Sequence, residues 1–279
     1  MADWNDGTFK SEISNKLQMG DLPDLSQPHI FLLVTAAMFV VVIGRYLLIA
    51  GLFHWWFYIL KKENYVQQYL GKKIVERRQY FKEVKWSMIT SVIFASAGAF
   101  TALLWQNGYT QIYIKVSDYG WWYLPVSLLA GMFIHETYYY WLHRWMHKPA
   151  VFKLMHKVHH ESSTTSAWTA FSFHPLEGIL QAIVLPLTIL FLPMQVYVLL
   201  TLLTIMSFSS VINHLEIELY PQGFSKNFIG KWIIGATHHS LHHKQFKYNY
   251  GLYFTFWDKW KKTESPFFQS LVKEKTEEV

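Results

Sequence analysis

Long apolar runs alternate along the chain with polar, mostly basic stretches. The first run, from Ile30 to Leu60, is interrupted by Arg45 and His54 and exceeds the roughly 20 residues that a helix needs to cross a bilayer. It predicts one span that continues into an interfacial aromatic segment, His54-Trp55-Trp56-Phe57-Tyr58. A second span is predicted from Trp86 to Trp105 and a third from Gly120 to Leu142, separated by a short loop over residues 106–119. The last run, Leu176 to Ile212, is too long for one span and carries Pro186 and Pro193 near its middle, which predicts a hairpin of two spans or a re-entrant pair. The predicted fold is all-α: an integral membrane protein with four to five transmembrane or re-entrant helices, opening into a helical cap.

Charge sets the orientation. Between Lys61 and Lys85 lie eight basic residues, Lys61, Lys62, Lys72, Lys73, Arg77, Arg78, Lys82 and Lys85, against the single Lys115 of the next loop. The positive-inside rule therefore puts 61–85 in the cytoplasm, and the third span and the hairpin return residues 143–175 and 213–279 to the same face. Residues 1–28 are polar and acidic, with no basic segment before the first apolar run, so they do not read as a secretory signal. Without repeats or low-complexity linkers, 29–279 reads as a single membrane domain.

Composition supports a lipid environment. Hydrophobic residues make up 52% and charged residues 16%, with 13 Trp, 17 Tyr and 21 Phe, against roughly 25% charged in soluble domains. The formal charge of +6 suits anionic lipid. With no Cys, disulfides, zinc–thiolate sites, iron–sulfur clusters and a Cys nucleophile are excluded. Any metal must be held by nitrogen and oxygen, and of the 14 His, 11 lie between His143 and His243, all on the face assigned to the cytoplasm without reference to histidine.

Those histidines form three clusters. His143-Arg-Trp-Met-His147 puts an i, i+4 pair on one helical face. His156-Lys-Val-His159-His160 and His239-Ser-Leu-His242-His243, the latter preceded by His238, repeat an H-x-x-H-H pattern that is expected to converge on one face of its helix. His174, in Phe-His-Pro, and His214, in Asn-His-Leu, are isolated candidates. Eight clustered and two isolated imidazoles exceed the four ligands of one zinc and suit two metals of five or six ligands each. Imidazole accepts zinc, copper, iron and nickel alike, so the residues leave the metal open.

The series H-R-x-x-H, H-K-x-H-H and H-x-x-H-H, from about Gly131 to Lys262, resembles the fatty acid hydroxylase and sterol desaturase superfamily of membrane non-haem di-iron oxygenases. Phe-His-Pro-Leu-Glu-Gly over 173–178 and Tyr-Asn-Tyr-Gly-Leu-Tyr-Phe-Thr-Phe-Trp-Asp over 248–258 are similar to sterol C-5 desaturases. The resemblance implies a catalytic region over 131–262 and two iron ions held by His143, His147, His156, His159, His160, His239, His242 and His243, with His214 and His174 completing the set. It also implies a lipid substrate drawn from the bilayer, sterol-type by preference, with a fatty acid, ether lipid or carotenoid as the alternative. O2 and a separate cytochrome b5- or ferredoxin-like electron donor follow from it, as does an endoplasmic reticulum or bacterial inner membrane location. Where those desaturases carry an acidic His-Asp-Gly-Asp-Phe-like segment, this chain has Asn213-His214-Leu-Glu-Ile-Glu218, and only the histidine matches.

Carboxylates near the clusters, Glu136 (next to His135), Glu161, Glu177, Glu216 and Glu218, are candidates to accept the second ring N–H of a ligating histidine. The stretch from Tyr248 to Trp257, where Asn249 and Gly251 signal a turn, is expected beneath the third cluster, fixing its rings. A rival reading, a membrane metal carrier, predicts ionisable residues lining a path through the spans, whereas the histidines gather at one face.

Overall fold

The computed structural model describes residues 23–71, 75–221 and 223–268, so the polar segment read over 1–28 lies outside it as far as residue 22, as do Lys72 and Lys73. Among the described residues the only sheet is a parallel two-residue pair, β1 (Ile112–Tyr113) with β2 (Met194–Gln195). The rest of the frame around the site is helices joined by ordered loops.

Helix α1 (Pro28–His54) starts with proline at its first position, where no N–H is needed, and runs on into a π-helical turn, Trp55–Leu60. Then come α2 (Arg77–Gln106) and α3 (Tyr123–Met146). The helical run 149–160 (α4) contains a π-turn at Phe152–His156. Helix α5 (Pro175–Phe191) and α6 (Val196–Asn213) form the hairpin, and α7 (Ala236–Gln245) and α8 (Phe256–Trp260) follow. Helix α2 packs between α1 and α5, and α3 packs against α5 and α6.

Among the described residues, three helical stretches are long and apolar enough to cross a membrane: Pro28–Leu60, Arg77–Gln106 and Val196–Asn213. Helix α5 is apolar but shorter, at 17 residues. Helix α3 has the length, yet its inner face is polar, burying Ser127, His135, Glu136 and His143. The hairpin turns at 192–195, around Pro193, while Pro186 lies inside α5 without ending it.

Hydrogen bonds sort the helix ends into two groups. Gln106 joins the start of α1 through Leu25 N and Pro23 O, and Gln111 joins the α5–α6 turn through Ile189 O and Met194 N. At the opposite end Tyr46 Oη donates to Trp168 O, Tyr58 Oη donates to Leu215 O, and Leu70 N donates to Glu216 O. The segments rich in histidine and the basic loop after α1 therefore share one end. Core packing there centres on Tyr46, Phe171, Val211, Leu215 and Ile217, whereas Leu33, Val40 and Val41 on α1 are each about two-thirds exposed, an apolar face for lipid.

Candidate metal centre

Four elements deliver nine imidazoles to this end in two groups. His143, His147, His156, His160 and His242 form one, and His159, His214, His239 and His243 the other, with one ligand atom per residue lying within 4.8 Å of the rest of its group. Metal–imidazole bonds of about 2.0–2.1 Å would set opposite nitrogens about 4.2 Å apart, so each group has the dimensions of a single ion. The groups adjoin, the His160 and His243 rings being 4.5 Å apart.

Helix geometry explains the sorting. At about 100° per residue, positions i and i+4 differ by about 40°, while i+3 falls about 60° to the other side. The i, i+4 pairs His143/His147, His156/His160 and His239/His243 each stay within one group, and His159 and His242 cross to the other. The expectation that each H-x-x-H-H run converges on one face is thereby corrected: each run bridges the two groups.

Proton positions show what the groups need. His143 Nδ1 lies 2.8 Å from Tyr250 O, which can only accept, and His156 Nδ1 lies 2.9 Å from Glu177 Oε1, which also accepts from Gln181 Nε2, so each Nδ1 carries the proton. Their Nε2 atoms nevertheless face each other at 3.1 Å. In the second group His159 Nδ1 donates to Ser172 O and His214 Nδ1 to Ser210 O, and again the two Nε2 atoms meet at 3.1 Å. Burial, reinforced by neighbouring imidazoles, holds His156 and His159 well below the ordinary histidine range, so these rings are neutral. Two bare lone pairs at that distance repel unless a cation lies between them, and one such pair occurs in each group. His147 Nε2 and both nitrogens of His243 are buried without a hydrogen-bond partner, which suits ligation. The residues present thus fit two metal ions held by nitrogen.

The surroundings orient the rings. Tyr248 O accepts from His242 Nδ1 at 2.7 Å, so the stretch from Tyr248 fixes rings of both the first and third clusters. The loop is anchored by Glu136, which accepts the amides of Leu252 and Tyr253, and by Asp258, which accepts those of Tyr250 and Gly251. Burial raises Asp258 to about 6. Of the candidate carboxylates only Glu177 accepts from a grouped histidine. Glu218 instead accepts the Thr237 amide in the first turn of α7, Glu161 pairs with Lys82, and Glu216 binds Thr165, Ser240 and Lys244. Glu83 was not singled out by the sequence. Buried in α2, it accepts from Gln79, Ser162, Ser166 and Thr169, and so holds the loop that leads to Ser172.

Not every candidate arrives. His174 lies outside both groups, where it caps α5 with Nδ1 accepting the Leu176 amide at 3.3 Å. His238 is buried, 4.0 Å from Asp258 Oδ2, and also lies outside them. His214, which no local pattern marked, completes the second group.

Residues 128–263 match the fatty acid hydroxylase family. The chain is 30% identical over 152 residues to a Delta(7)-sterol 5(6)-desaturase of Gibberella zeae, an alignment covering 54% of this chain and 46% of that one. With a Delta(7)-sterol 5(6)-desaturase of Aspergillus fumigatus it shares 33% over 172 residues, 54% of this chain and 52% of that one. With the lathosterol oxidase of Mus musculus it shares 29% over 203 residues, 72% and 63% respectively. The chain thus spans between about half and just under two-thirds of the length of these relatives. No solved structure matches it significantly.

Proposed function

We propose that this chain, which carries a fatty acid hydroxylase domain over residues 128–263 and is related to sterol desaturases, is a membrane-bound di-iron oxygenase that desaturates or hydroxylates a lipid, with a sterol-type substrate favoured. The observation that carries the reading is the opposed Nε2 pair in each group, His143 with His156 and His159 with His214, since each pair calls for its own cation. Iron is favoured over other imidazole-binding metals by the relatives, whose printed activities are sterol desaturation and oxidation.

Two irons, which the five- and four-histidine groups would hold, would supply the reduction of O2 and the removal of hydrogen from a substrate carbon. The chain supplies the rest. Glu177 and the carbonyls of Tyr248, Tyr250, Ser172 and Ser210 hold the Nδ1 protons and so aim the Nε2 lone pairs inward. Burial of eight of the nine imidazoles excludes water from the oxidising centre. Desaturation takes two electrons from the substrate, and reducing O2 to two waters takes two more. A separate carrier therefore has to deliver electrons, and the exposed Arg144, Lys148, Lys153 and Lys157 beside the first two clusters suit an acidic one. We assign this end to the cytoplasm, because the basic loop after α1 shares it.

The test is iron content and Mössbauer spectra of the detergent-purified protein and of His159→Ala, followed by incubation with reduced carrier, O2 and membrane lipid extract. Two irons per chain, depleted in the variant, together with a new double bond or hydroxyl in a sterol fraction, are expected. Zinc alone, at a level that His159→Ala does not change, would overturn the reading.

A further inference from the structure

Glu216 follows His214 by two residues, in the turn that ends α6, and adopts φ 57°, a left-handed conformation disfavoured for any residue with a Cβ. The backbone there is fixed on both sides: Leu70 N donates to Glu216 O at 2.9 Å, Ile217 bridges to Tyr69, and Glu218 N donates to Gln68 O at 3.2 Å. The side chain is fully buried. Its Oε1 accepts from Ser240 Oγ at 2.9 Å and Lys244 Nζ at 2.7 Å, and its Oε2 accepts from Thr165 Oγ1 at 2.9 Å.

Those partners and Glu216 itself sit on the segments that supply all four histidines of the second group; α4 and α7 also carry His156, His160 and His242 of the first, whose other two members, His143 and His147, belong to α3. Ser240 and Lys244 each follow a ligand candidate of α7, His239 and His243. Thr165 lies on the chain leaving α4, which carries His159, and Glu216 itself continues from His214. One carboxylate thus ties together the α4 exit, the end of α6 and α7, and none of its hydrogen bonds among the described residues goes to α3, whose His143 and His147 belong to the first group. It is absent from both histidine groups and so is not placed as a ligand. The first group has anchors of its own in Tyr250 O, Glu177 and Tyr248 O.

We propose that Glu216 is a positioning residue that sets the iron affinity of the His159–His214–His239–His243 group without touching the ion. This rests on the dimetal reading. Removing the carboxylate frees three segments relative to one another and scatters four nitrogens that must converge, and outer partners of this kind typically change metal affinity by about 10–100-fold.

The experiment uses the full chain in detergent, loaded anaerobically with Fe(II) against a competing chelator and read by iron content and Mössbauer spectra. Glu216→Gly is the informative variant, because glycine keeps the left-handed backbone at ease while the side chain and its carboxylate are removed. The iron of the four-histidine group is expected to weaken about 10–100-fold and to lose its spectral component, while the other, held also by His143 and His147 of α3, weakens less. Thr165→Val, a milder cut, is expected to weaken the same iron less. His143→Ala is the control that weakens the other iron. Two wild-type affinities in Glu216→Gly, or equal weakening of both irons, would overturn the proposal. Should Glu216→Gly not fold, unchanged affinities in folded Thr165→Val and Lys244→Met would do so. A wild-type protein that binds no iron while otherwise folded removes the dimetal reading itself, and the proposal with it.

Discussion

Glu177 gives the sharpest test of the five-histidine group. Its Oε1 accepts the His156 Nδ1 proton at 2.9 Å, and both side chains are essentially inaccessible, at 0% and 1%. Leaving the buried His156 Nδ1–H without an acceptor costs about 1–3 kcal/mol. At about 1.36 kcal/mol per decade, Glu177→Ala is expected to weaken iron at that group by about 5- to 150-fold. The variant also loses an acidic residue from the first turn of α5, which costs about 0.3–1 kcal/mol of helix stability whether or not metal is present. The two effects separate in one assay: chelator competition reads the iron affinity, and the unfolding midpoint of the metal-free protein reads the helix. Glu177→Gln can still offer an oxygen to Nδ1–H, so it is expected to fall between wild type and alanine. Wild-type affinity for both irons in a folded Glu177→Ala would refute the assignment of Glu177 as the partner that orients His156.

Three further outcomes are expected. Burial holds the imidazoles of α4, of α7 and at the end of α3 neutral, with His238 of α7 lowered to about 3 and His147, which caps α3, to about 2, so between those values and 6.5 the unfolded chain binds more protons than the folded one. Stability must then fall as pH drops below about 6.5, by up to about 1.4 kcal/mol per unit for each such histidine, and iron is released with it; denaturation midpoints in detergent at three pH values check this, and a midpoint that rises on acidification contradicts it. Gly251→Ala brings a Cβ within 2.6 Å of Phe254 O and 2.9 Å of Glu136 Oε1, atoms of the clamp that sets Tyr250 O on His143. It is expected to cost about 1–3 kcal/mol and to lower occupancy of the five-histidine group, read by thermal unfolding and iron content. His174→Ala, by contrast, is expected to keep both irons and to lose only a cap worth about 1 kcal/mol; loss of an iron would return His174 to the ligand set.

Apolar run length and histidine spacing were legible because both are local: a span is a count of residues, and an i, i+4 pair is an angle on one helix. The split of each H-x-x-H-H run between the two histidine groups follows from the same angles, but only once a second helix supplies the partners that decide which way each ring turns. His174 was misleading for a reason the sequence did contain. It precedes Pro175, and a residue before a proline that opens a helix is placed as its cap, with the ring turned back on the backbone. The supports of the site were hidden in a different way. The carbonyls of Tyr248 and Tyr250 have no side-chain signature, although Asn249, with φ 61° between them, announces the turn that points them at His242 and His143. Glu83 meets Ser162, Ser166 and Thr169 across some eighty residues of chain, a distance at which no periodicity survives. Ligands that lie on helices are thus readable from their own helices. The carboxylates that bring those helices into register are readable only after the fold has closed, and mutating them tests whether the two histidine groups are independent sites.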